Sequence, residues 1–180
     1  MHKSLGVWVF VIHALACSGQ AGERPSVAEA QAAPAPSGSP AQKLITAYLG
    51  VQRKLAADDA KAARAAFAQL RAAADAKDLA GDAASRKRIS AAAAAGASAK
   101  DLAAARDAFA KTSDAVLDWL RHEGNPLANS VRVVHCPMAQ NGKGARWVQT
   151  ESKVVNPYYG SEMLECGSLE KELKAGAKLE

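Results

Sequence analysis

Sulfur is the chemically distinctive element of this chain, and it is gathered near one end as Cys136-x-Met138 and Met163-x-x-Cys166. Thiolate and thioether donors select Cu(I) over magnesium, calcium or manganese, because polarizable sulfur bonds covalently to a soft d¹⁰ ion. Cys136, Met138, Met163 and Cys166 are therefore candidate metal ligands. His135 is a reserve ligand: in an extended strand it faces away from Cys136, so it joins only if Pro137 distorts the segment. Zinc is the alternative metal, preferring Cys and His to Met, with His135 alone at hand to complete its set. A Cys136–Cys166 disulfide competes with both, stapling a small sheet by about 3–4 kcal/mol from loop entropy. Residue types leave these alternatives open.

The elements that must position these side chains are short strands. Val131-Arg132-Val133-Val134-His135-Cys136 is rich in β-branched residues, and Pro137 ends it. Asn141-Gly142-Lys143-Gly144 supplies the turn, and 145–150 reads as the returning strand of a hairpin. Two glycines here without Walker spacing or a following helix do not make a phosphate loop. Lys153-Val154-Val155 is expected to add a third strand, Asn156-Pro157-Tyr158-Tyr159-Gly160 a turn whose aromatics cover the sheet, and Met163–Gly167 the closing segment. The small β module thus spans 125–170, with 171–180 as a C-terminal tail.

Ahead of it, residues 41–124 carry a helical period. Leu44, Tyr48, Val51 and Leu55 share one face, as do Ala63, Ala66, Phe67, Leu70 and Ala74, with Asp58 or Asp59 as cap. Asp82 opens a weaker helix ended by Gly96 and Ser98. Ser98 and Asp101 resemble a capping box before a fourth helix, which runs to about Glu123 and stops at Gly124-Asn125-Pro126. The expected fold is α+β: an antiparallel four-helix up-down bundle followed by a small antiparallel β module. Of the 180 residues 43 are alanine and only 5% are aromatic, which excludes an all-β fold and a large α/β enzyme. The net charge of +5 is dispersed, without the concentrated basic face of a nucleic-acid binder. Neither a nucleophile elbow, nor HExxH, nor a dinucleotide loop is present, so no enzyme is expected.

The beginning of the chain reads as an address. Residues 1–16 have a cationic end, the apolar run Leu5–Ile12 and Ala14-Leu15-Ala16, the pattern of an export signal too short to span a membrane. Ala14-Leu15-Ala16-Cys17 resembles a lipobox, which makes Cys17 the expected lipid-attachment site and residues 17–40, rich in Pro, Ala, Ser and Gly, a flexible tether. The expected location is periplasmic, as an outer-membrane lipoprotein held by its lipid anchor. With Cys17 acylated, Cys136 and Cys166 remain as a pair in an oxidising compartment.

His135-Cys136-Pro137-Met138-Ala139, Gly142-Lys143-Gly144-Ala145-x-Trp147 and Asn156-Pro157-Tyr158-Tyr159-Gly160-x-x-Met163-Leu164-x-Cys166-Gly167 together resemble an uncharacterised family of exported bacterial domains. That domain occurs alone, or at the end of periplasmic adaptor subunits of copper and silver efflux pumps of the resistance-nodulation-division type. The likeness extends over roughly 41–170; Arg146 departs from an expected aromatic or aliphatic residue, and Gln149 from a common Ser. It implies heavy-metal handling, with Cys136, Met138, Met163 and Cys166 at the motif positions and an efflux adaptor or other envelope protein as partner. The alternative is an interaction module with a disulfide-held sheet and no metal.

Overall fold

The computed structural model describes residues 38–180. The expected export signal, Cys17 and nearly all of the expected tether lie outside the described residues. Four long helices come first: α1 (Pro40–Ala56), α2 (Ala60–Ala74), α3 (Ala83–Ala97) and α4 (Leu102–Glu123). Three strands follow, β1 (Val131–Cys136), β2 (Ala145–Gln149) and β3 (Ser168–Leu173), giving an α+β chain with a small antiparallel sheet. No helix among the described residues is long and apolar enough to cross a membrane.

Local chemistry accounts for the helix ends. Ser39 and Gln42 form a reciprocal capping box at α1, with Pro40 at the first turn, where its missing N–H costs nothing. Asp59, Asp82 and Asp101 each accept a backbone N–H at the start of α2, α3 and α4. The Ser98 capping box does not form. Ser98 instead closes α3, its hydroxyl donating to the carbonyls of Ala94 and Ala95, because Asp101 lies next to α4 and takes the cap itself. Gly124 stops α4 at φ 80°, a conformation open to glycine.

Helices α1 and α2 bury the stripes their periodicity predicts, and consecutive helices pack on one another. Helices α4 and α1 also pack against β2. Tyr48 ties these layers together: its hydroxyl meets Ser113 Oγ of α4 at 2.8 Å and accepts the Val148 N–H of β2 at 3.1 Å. An aromatic series continues from Tyr48 through Phe109 and Tyr158 to Trp147, with centroid separations of 5.3, 5.6 and 5.8 Å. One apolar core thus contains helix residues such as Phe67 and Trp119 together with sheet residues such as Val133 and Val148.

In the sheet β1 is central, flanked by β2 and β3, and both pairings are antiparallel. The β1–β2 register sets Val134 opposite Trp147 and Cys136 opposite Ala145. The expected third strand at Lys153–Val155 is absent, and its place beside β1 is taken by Ser168–Leu173. Gln149 explains the difference: its side chain accepts the Val155 N–H and donates to the Lys153 carbonyl, so the segment after β2 folds back on that side chain as a loop. The residues expected as a tail are correspondingly structured, with Leu173 and Leu179 buried and the Leu179 N–H donating to the Leu120 carbonyl.

Candidate functional site

Cys136 is the last residue of β1, and the β-branched run before it holds the strand extended between two partners. Ala145 opposite it is small. Cys166 arrives from the other direction, at the end of the 150–167 loop. Gly167, at φ 136°, then turns the chain into β3 close against β1, where a Cβ would lie 3.0 Å from the His135 carbonyl oxygen and 3.1 Å from the Trp147 ring. Only glycine permits that approach.

Residues thirty positions apart thereby bring their sulfurs together, Cys136 Sγ lying 3.2 Å from Cys166 Sγ. Both cysteines are free thiols, Cys136 fully buried and Cys166 half-buried. The separation falls between a disulfide bond of about 2.05 Å and the roughly 3.7 Å that two thiolates span on a tetrahedral ion with 2.3 Å bonds. The hydrogen bond to Cys136 raises the Cys166 thiol above its ordinary pKa, aided by partial burial and by the repulsion between two adjacent thiolates.

The turn after β1 and the 150–167 loop are tied to each other and to the helices. Tyr159 donates its hydroxyl to the Met138 carbonyl at 2.7 Å. Asn156 Nδ2 donates to the Cys166 carbonyl at 2.8 Å, and the Cys166 N–H bonds the Met163 carbonyl at 3.1 Å. Beyond these, Asp58 in the α1–α2 turn accepts both the N–H (2.9 Å) and the hydroxyl (2.6 Å) of Ser161. Arg106 of α4 bridges the same carboxylate at 2.5 Å to the Pro157 carbonyl at 3.0 Å.

Met138 follows Cys136 beyond Pro137 and is 54% exposed, and Met163 is half-buried in the turn leading to Cys166. His135 points away from Cys136, as strand alternation requires, with Nδ1 3.6 Å from Glu170 Oε1. Glu170 also receives two hydrogen bonds from Arg146, at 2.7 and 3.0 Å, so Arg146 has an ion-pair partner on β3. No cluster of three or more His, Cys, Asp or Glu side chains suited to a metal occurs among the described residues. A metal here would rest on Cys136 and Cys166. Asn156 escaped the sequence reading, which treated it as one member of a turn. Its only signal is Asn before Pro, a pattern shared by many turns without a site.

Comparison with protein-family models, curated proteins and solved structures finds no match for this chain.

Proposed function

We propose that this protein is an exported accessory protein of copper handling that takes up Cu(I) at Cys136 and Cys166, with Met138 and Met163 as auxiliary thioether donors. The approach of the two thiols to 3.2 Å carries this reading. The sulfur clustering and the resemblance to domains that end copper and silver efflux adaptors supply the metal's identity. In this reading Cys17 is acylated, residues 17–40 tether the folded part to the outer membrane, and an efflux adaptor or other envelope protein is the partner. The helices make the antiparallel up-down bundle, supported by their consecutive packing and the short turns between them. Half-buried Cys166 suits exchange of a soft ion with a donor, and buried Cys136 suits its retention.

The same 3.2 Å separation favours one second reading, a disulfide formed in an oxidising compartment. Reduced protein kept under anaerobic conditions and titrated against a colorimetric Cu(I) chelator separates the two. The copper reading expects about one Cu(I) per chain, a loss of about a hundredfold or more in affinity for Cys136→Ser or Cys166→Ser, and a smaller loss for Met138→Leu or Met163→Leu, since only thiolates bring charge. Equal competition by wild type and the double cysteine variant overturns it.

A further inference from the structure

The thiols meet because something holds Cys166 in place, and the 156–166 segment has little regular structure of its own beyond a single 3₁₀ turn at Gly160–Glu162. The hydrogen bonds that close it converge on Asn156, which is fully buried. Its backbone N–H donates to the Leu164 carbonyl and its backbone carbonyl accepts from Gly160, at 2.8 and 3.1 Å. Its Oδ1 accepts the Tyr158 N–H at 2.8 Å, and its Nδ2 reaches across the loop to the Cys166 carbonyl at 2.8 Å. Immediately beyond, Ser168 is registered with His135 on β1. The backbone of Cys166 is thus held by the β3 pairing that begins just beyond it, by its own N–H on the Met163 carbonyl, and at its carbonyl by the Asn156 side-chain amide.

We infer that Asn156 is the positioning residue of the sulfur site, setting the distance between Cys166 and Cys136 through its Nδ2–H bond to the Cys166 carbonyl. The inference rests on the reading of these two cysteines as the working site. Asparagine suits the task because it donates and accepts at once: Oδ1 shapes the Pro157–Tyr158 turn while Nδ2 clamps the far end of the loop. Aspartate keeps the acceptor and lacks the donor when ionised. Serine reaches neither partner with the same geometry.

The test is the thiol–disulfide equilibrium of the whole protein with glutathione. Cys136 and Cys166 lose two electrons and two protons in forming the protein disulfide, and one glutathione disulfide is reduced to two glutathione thiols. The equilibrium constant is the effective concentration of one protein thiol for the other, so it reads positioning directly. Asn156→Asp and Asn156→Ser should each lower it by about tenfold, the scale of one lost buried hydrogen bond. Leu70→Ala, which removes buried side-chain volume from α2 and lowers global stability, should leave it unchanged. An unchanged constant in either folded Asn156 variant overturns the inference, as does an equal fall in Leu70→Ala, which would trace the effect to general loosening. Wild-type protein that ignores Cu(I), with Asn156 variants that still lose effective concentration, sinks the copper reading and supports this one.

Discussion

Asp58 shows how a single side chain stabilises the loop that carries Cys166. It sits in a left-handed conformation at φ 58°, which Asp and Asn tolerate better than most residues, and it receives Ser161 and Arg106 together. The Ser161 hydrogen bonds, and secondarily Arg106, hold its carboxyl below the ordinary value of 3.8. A carboxyl lowered in the folded state contributes stability above its unfolded pKa, and that contribution disappears as pH falls through the folded value. Asp58→Asn should therefore be less stable than wild type at neutral pH and should converge with it in acid, checked by urea denaturation on both sides of pH 3.8. Parallel stability curves for the two proteins would refute this. At Gly160, with φ 58°, a Cβ would collide with the same carboxylate, so Gly160→Ala should destabilise by more than the usual surface change. The sulfur pairing was legible at this scale because rare residue types stand out against an alanine-rich chain. Asn156 was not, since its role lies in a contact ten residues away.

Among the elements, the helices were readable and the last strand was not. Leu44, Tyr48, Val51 and Leu55 are all fully buried, as their spacing requires, and the aspartate caps are visible in the residues themselves. The Ser168–Leu173 segment, by contrast, brackets three consecutive charges between Leu169 and Leu173, a spacing of four that suits helix as well as strand. It becomes β3 by pairing with β1, with only Leu173 buried. Strand preference is set by such neighbours more than by the segment itself. Helix α3 yields a sharper expectation. Gly96 lies inside it against Phe67 of α2, where an added Cβ would come within 2.6 Å of the ring. Alanine is the better helix former by about 1 kcal/mol, yet Gly96→Ala should lower the melting temperature because backbone and ring have nowhere to go. Phe67→Leu in the same chain should recover part of the loss. A Gly96→Ala protein more stable than wild type would mean that α2 and α3 separate freely.

At the level of the whole molecule, the abrupt change from alanine-rich helix to β-branched strand suggested adjacent parts, whereas Tyr48, Phe109, Val148 and Tyr158 occupy a common interior. Trp119 is buried on α4 and Trp147 on β2, so indole fluorescence samples both parts while far-ultraviolet circular dichroism follows the helices. The two signals should melt together in a single transition. A fragment ending at residue 124 should stay helical but melt broadly, having lost Val148 against Tyr48 and Tyr158 against Phe109. Separate fluorescence and dichroism midpoints in the intact chain would contradict a shared core.

The central position of β1 also orders events in time. A chain emerging from its amino end exposes the helices first, then β1 and β2, and β1 stays unpaired on its other side until Ser168–Leu173 appears. Long-range pairing of this kind is slow to form. Cys136 therefore waits through the making of thirty further residues for its partner, and the sulfur pair is completed only as the last strand docks.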